Sequence, residues 1–317
     1  MPTLTYILLF ILGAAIGSFL NVVILRYDPK ESLFKNTGGR SHCPHCNRTL
    51  RWYELVPLLS FAAQRGRCRS CKARLTWQYP LVELLGGLIM VAVPWMTIAA
   101  NPDIFAGLGL LPINSANAAL YHTLHMAAIG SVSLAGIWIM AFYTLLLIAA
   151  VDLRFKMIPD GLTISLFILG AAALVLKYFY SGFGLVDGSI RGSFVGAYAP
   201  IFGFSQNIWI NALVGVTFGV VFLGILHFGS RGRAMGFGDV KLMGAVGLLL
   251  GWPDSAIALL LAFILGSIIS LFLMALGREK MKSRLPFAPF IVLGITLLYF
   301  FGYDIVNGYF RLFGLQI

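Results

Sequence analysis

The stretch "LTYILLFILGAAIGSFLNVVIL", residues 4–25, carries no charged side chain. Coiled as a helix it is about 33 Å long, enough to cross the roughly 30 Å of hydrocarbon in a bilayer. Comparable runs recur at 80–99, 127–151, 161–179, 207–228, 239–253, 255–277 and 287–303. Together they predict an all-α polytopic membrane protein with about eight transmembrane helices. Over 317 residues the chain is 59% hydrophobic and 11% charged, with a mean hydropathy of +0.88, which excludes an ordinary soluble domain. The run 239–253 is short and glycine-rich, a backbone that lipid tolerates only where neighbouring helices pack against it. The first run is a retained span rather than a signal peptide, because its positive charges follow the apolar stretch. Within it, Gly13 and Gly17 form a small-xxx-small spacing that lets another backbone approach.

The net charge of +11 is segregated by loop. Eleven of the 23 Lys and Arg lie between Arg26 and Arg74; the next groups are Arg154 with Lys156, Arg231 with Arg233, and Arg278, Lys280, Lys282 and Arg284. The intervening loops, 100–126 and 180–206, hold only Arg191. By the positive-inside rule the amino terminus is outside and the four basic loops are cytoplasmic. The arginines are accounted for by orientation, so no nucleic-acid partner is expected.

Three regions follow: a first span over 1–26, a polar cytoplasmic insert over 27–79, and a transmembrane core over 80–317. All four cysteines sit in the insert, as "CPHC" (Cys43, Cys46) and "CRSC" (Cys68, Cys71), with 21 residues between the pairs. Two CxxC knuckles at this distance are the signature of a zinc ribbon, in which four thiolates surround one ion and leave no position for catalytic water. Disulfides seldom persist in the cytosol. The metal is therefore expected to be structural, with His42 and His45 as solvated neighbours. Trp52, Tyr53, Trp77 and Tyr79 among many arginines read as an amphipathic layer on anionic headgroups.

Of twelve acids, solvation accounts for Asp28, Glu31, Glu54 and Glu279 in cytoplasmic loops and for Asp103, Asp187, Asp254 and Asp304 in outer loops or at helix ends. Glu83 stands just inside the second span and either pairs with an arginine of the insert or joins a site. Asp160, in "IPD", reads as the N-cap of the fourth span. Asp152 ends the third span and Asp239 opens the sixth, both from the cytoplasmic side. Ionisable residues in such positions are costly and face a bundle interior or a water-filled cavity. Two aspartates sharing a proton are the apparatus for peptide hydrolysis by activated water. Gly236 and Gly238 are expected to permit a sharp turn that makes Asp239 an N-cap, which favours its anion, while Asp152 near a helix C-terminus favours the protonated form. That asymmetry would make Asp239 the base and Asp152 the acid.

These residues resemble bacterial type IV prepilin peptidases, members of the GxGD class of membrane aspartic peptidases. The resemblance runs through "GSFLNVVILR", "SHCPHC", "RWYELVPLLSF", "RGRCRSCKARLTWQYPLVELLGG", "VDLRFKMIPD", "GFGDVKL" and "LPFAPF". Carried over by motif, the family's catalytic pair lands on Asp152 and Asp239. The resemblance implies cleavage of a short basic leader from type IV prepilin or pseudopilin precursors at the bacterial inner membrane, and methylation of the new amino terminus with S-adenosylmethionine. No glycine-rich strand-turn-helix fingerprint supports a site for that cofactor. Two departures stand out: the outer loop 180–206 exceeds the family's usual link and reads as a partly ordered connection, and Ala288 replaces a common glycine. Alternatives to be separated are a peptidase without methyl transfer, a proton-coupled transporter and a zinc-ribbon membrane adaptor.

Overall fold

The computed structural model describes residues 3–31, 35, 38–99, 118–180, 193–203, 207–233, 235–277 and 285–314. Arg191, the basic group 278–284 with Glu279, and the acids Asp103 and Asp187 lie outside the described residues. Ten α-helices are described: α1 (Thr3–Arg26), α2 (Leu59–Ala63), α3 (Gln78–Ala99), α4 (Ala118–Phe155), α5 (Asp160–Tyr180), α6 (Ala199–Phe202), α7 (Ile208–Gly229), α8 (Phe237–Leu250), α9 (Asp254–Ala275) and α10 (Ala288–Leu312). Among the described residues there are no strands, only isolated bridges in the insert. Seven helices are long and apolar enough to cross a membrane. The protein is a multi-pass membrane protein.

The sixth expected span is α8, and its 14 residues set it apart from the other seven. It is buried over most of its length, from Asp239 to Leu250, and packs chiefly on α7 and α5. Gly215 and Gly247 make the α7–α8 approach possible. A Cβ on Gly247 would lie 2.5 Å from the Gly215 carbonyl oxygen, and one on Gly215 would lie 2.7 Å from that of Gly247. Such close backbone contact is how helices associate where lipid removes the hydrophobic drive. Two spans outrun their expected limits: α4 begins at Ala118 and α10 continues to Leu312.

The chain divides into two compact units, 1–96 and 97–317. In the first, α1 and α3 pair through Gly13 and Gly17, as the small-residue spacing requires. A Cβ on Gly13 would meet the Gly86 carbonyl oxygen at 2.5 Å, and one on Gly17 would meet that of Val82 at 2.6 Å. Asn21 reinforces the pair by donating to the Tyr79 carbonyl at 3.1 Å.

In the second unit, α4, α5, α7, α8, α9 and α10 form the bundle. Part of the connection 180–206, expected to be partly ordered, is packed structure. A 3-10 turn at Gly196–Tyr198 leads into α6, and Val195, Tyr198 and Ala199 are completely buried. Tyr198 donates to Asn307 at 2.8 Å and stacks on Phe310 at 5.0 Å, and Trp252 Nε1 donates to the Phe202 carbonyl at 2.6 Å. A sequence window misses such contacts, which are made by residues 50 to more than 100 positions away.

Candidate active site and metal centre

Asp152 lies in the last turn of α4, where the helix closes with Lys156 N–H on the Asp152 carbonyl at 2.8 Å. Its carboxylate is buried and accepts the N–H of Ala288, the first residue of α10, at 3.2 Å. The environment is thus the N-terminus of a second helix as well as the C-terminus of its own. Ala288 is itself completely buried, and the contact uses its backbone, so the exchange for glycine leaves it intact.

Asp239 is the third residue of α8 and not its N-cap, which is Gly236. Its side chain reaches back to accept the Gly236 N–H at 3.2 Å, the N3 half of a capping box. Neither Gly236 nor Gly238 has positive φ, so their service is space rather than backbone freedom. A Cβ on Gly236 would crowd Asp239 Oδ2 at 3.2 Å, and one on Gly238 would press on Ile158 at 3.3 Å. Asp239 is buried like Asp152. Each carboxyl holds one backbone N–H, so hydrogen bonding alone does not separate base from acid.

Two neighbours that the sequence reading missed or misread shape the approach to Asp239. His227, near the end of α7, hydrogen-bonds the Met235 carbonyl through Nδ1 at 2.8 Å and fixes the turn before α8. Asp160 is the first residue of α5 and pairs with Lys241 of α8 at 2.9 Å, tying the two helix starts together instead of capping.

At the other end of the same bundle lies a second ionisable group that the sequence reading assigned to solvent. Asp254 is 1% exposed. It accepts the Ser193 hydroxyl at 2.6 Å and the Phe194 N–H at 3.1 Å, and it shares a cavity with the buried Lys177 of α5. With Asn211, whose Oδ1 has no hydrogen-bond partner, these groups line a cavity of about 30 Å³. Lys177 inside an apolar span was the available signal.

In the first unit the four cysteine sulfurs lie within 4.8 Å of one another, with Cys43 and Cys71 at 3.9 Å, and no disulfide joins them. Sulfurs each about 2.3 Å from one tetrahedral ion stand about 3.8 Å apart, so the cluster fits zinc. The two knuckles repeat one local plan. Asn47 N–H closes on the Cys43 carbonyl as Lys72 N–H closes on that of Cys68, and Asn47 and Lys72 both take positive φ. Backbone N–H groups of Cys71 and Ser70 bring the Cys68 thiol down to about 6, while desolvation and the neighbouring thiols hold Cys71 up at about 11, so the four sulfurs share protons as one cluster until a metal displaces them. His42 and His45 are exposed and stay outside the cluster.

Two carboxylates of this unit are firmly held, Glu54 against the expectation of solvation. Glu54 is buried, gripped by Arg48 at 3.0 and 3.2 Å and by the Arg51 N–H at 2.8 Å. Glu83 accepts the Leu58 N–H at 2.8 Å rather than an arginine.

Comparison with known proteins adds the decisive observation. The Bacterial Peptidase A24 N-terminal domain matches residues 11–97, and the Type IV leader peptidase family matches residues 139–271. A prepilin leader peptidase/N-methyltransferase of Aeromonas hydrophila is 30% identical over 98% of this chain and 95% of its own length. The chain belongs to the type IV leader peptidase family. Similarly named proteins of Bacillus subtilis and Legionella pneumophila are 28% and 26% identical, over 96% and 97% of this chain and 98% and 95% of their own. No solved structure matches. The first family segment of this leader peptidase relative ends beside the boundary of the first compact unit.

Proposed function

We propose that Asp152 and Asp239 are the catalytic pair of a membrane aspartic peptidase that removes the basic leader from type IV prepilin-like precursors. The observation that carries this reading is the burial of both carboxyls at one end of one bundle, each held by a backbone N–H at a helix start. One ionised carboxylate takes a proton from water while the other, protonated, donates to the scissile carbonyl oxygen. The tetrahedral intermediate then collapses as a proton passes to the leaving amine. The pair titrates as a unit, and the roles of base and acid belong to the pair.

The described ionisable groups sit at the two ends of the bundle, whereas a proton-coupled transporter places its carboxylates near mid-depth. The precursor, anchored by its own apolar helix, presents its leader at the cytoplasmic face of the bacterial inner membrane, with the zinc-binding insert on the same side and the amino terminus outside. Zinc on Cys43, Cys46, Cys68 and Cys71 staples an insert too small to build its own core. The protein also methylates the newly exposed amino terminus. That activity follows the relatives' printed name, with S-adenosylmethionine as the methyl donor. No described residue forms a glycine-rich strand-turn-helix cradle, and no methyl-transfer step is derived from the geometry.

The test is to incubate purified protein with a membrane-anchored prepilin-type precursor and S-adenosylmethionine, then to weigh the product's amino terminus. Cleavage with one added methyl group is expected. Cleavage without it restricts the protein to proteolysis, and no cleavage overturns the reading.

A further inference from the structure

The segment 55–63 of the insert is held against a membrane-spanning helix rather than standing clear of it. Leu58 donates its N–H to Glu83, five residues inside α3, and that position is about 7.5 Å along the helix from its start. α2 therefore runs beside the first turns of a span. Phe61 of α2 packs on Trp77, the residue just before α3, with ring centroids 5.4 Å apart. What α2 does not bury is apolar: Leu59 is 69% exposed, Trp77 79% and Leu55 40%, and Ala62 and Ala63 are also exposed.

Charge around this face has one sign. Arg65, Arg67, Arg69, Lys72 and Arg74 are all exposed, and from residue 51 to residue 78 the single acid is Glu54, buried and bound by Arg48. An exposed apolar ridge at the height of a helix entrance, bordered by cations with no exposed acid among them, has the composition of a surface that lies in a headgroup layer.

We propose that α2, Leu55 and Trp77 form an interfacial anchor seated among anionic lipid headgroups, with Arg65, Arg67 and Arg74 engaging their phosphates. The occupant is lipid rather than a soluble protein because the ridge is tethered beside a span at both Leu58 and Trp77. The anchor would hold the two cysteine knuckles flat on the membrane and limit the height at which the insert can move. Neither Asp152 nor Asp239 belongs to this surface, so it stands or falls independently of the peptidase reading.

The full-length protein, labelled with 5-fluorotryptophan, is placed in nanodiscs of phosphatidylcholine with or without phosphatidylglycerol. W77F and W52F variants assign the Trp77 and Trp52 signals among the six fluorine resonances. With phosphatidylglycerol present, the Trp77 signal should be relaxed by headgroup-proximal spin-labelled lipid and shielded from a water-soluble gadolinium chelate by about threefold or more relative to phosphatidylcholine alone. The R65Q/R67Q/R74Q variant should lose that difference while retaining its zinc, and L59Q should weaken the lipid contact. Equal relaxation by the chelate in both discs, with none from the labelled lipid, overturns the proposal. So does lipid contact that ignores phosphatidylglycerol, since the arginines would then contribute nothing.

Discussion

Asp152 accepts its hydrogen bond from Ala288, 136 positions further along the chain, so α4 and the start of α10 must come together before the carboxylate is placed. A backbone donor cannot be removed by changing a side chain. A288G should therefore cleave a prepilin-type precursor within about threefold of wild type, since a buried methyl contributes packing but not the N–H. D152N and D239N should each lose about 10³-fold or more in kcat, the loss of a general acid or base. Single-turnover cleavage separates the cases, and an A288G variant as impaired as D152N would contradict the backbone role.

The contact between Gly247 and Gly215 makes a second prediction. G247A places a Cβ 2.5 Å from a carbonyl oxygen, so α8 must shift. Overpacking of this kind costs about 1–3 kcal/mol, and because α8 carries Asp239, cleavage should fall with stability. G136A in α4, where a Cβ meets nothing within 4 Å, should change neither. Thermal unfolding in detergent, followed by tryptophan fluorescence, provides the comparison.

Lys177 and Asp254 should show strong coupling. Removing one member of a buried pair leaves an uncompensated charge and costs about 3–5 kcal/mol. K177M or D254L alone is expected to be severely destabilised, and the double variant less so than either single one. Additive losses in the double-mutant cycle would mean that the two do not act as a pair.

Metal analysis tests the cysteine cluster. Wild-type protein should carry one zinc per chain by elemental mass spectrometry, and C43S or C68S should lose it and expose the insert to limited proteolysis. D152N and D239N should keep their zinc in full. An insert that stays protease-resistant after complete chelation would show that the ion is not its staple.

Much of this architecture is legible in the linear sequence because membrane helices obey a length rule, and the CxxC spacing imposes one local turn twice. Asp152 and Asp239 were found because a carboxylate at the rim of an apolar run is conspicuous. Asp254 stands at a similar rim but was assigned to solvent. Its burial depends on Ser193 and Phe194, some 60 positions earlier, within a connection that local pattern describes only as a loop. Glu54 departs from its expected solvation for a different reason: its partner Arg48 is only six positions away but is one of many arginines nearby. The capping geometry of Asp239 turned on where α8 begins, and glycine before a helix is compatible with either register.

The brevity of α8 has an electrical consequence. Fourteen residues rise only about 21 Å, against roughly 30 Å of hydrocarbon in a bilayer. Asp239 stands in the first turn of this helix, and Asp254 follows a short turn after its last residue. Along this one line through the protein, the insulating layer between ionisable groups is nearer to about 20 Å than to the full thickness of the lipid. In a polarised membrane, a voltage across this line would fall over a shorter path than elsewhere in the bundle, between Asp239 on one side and Lys177 and Asp254 on the other.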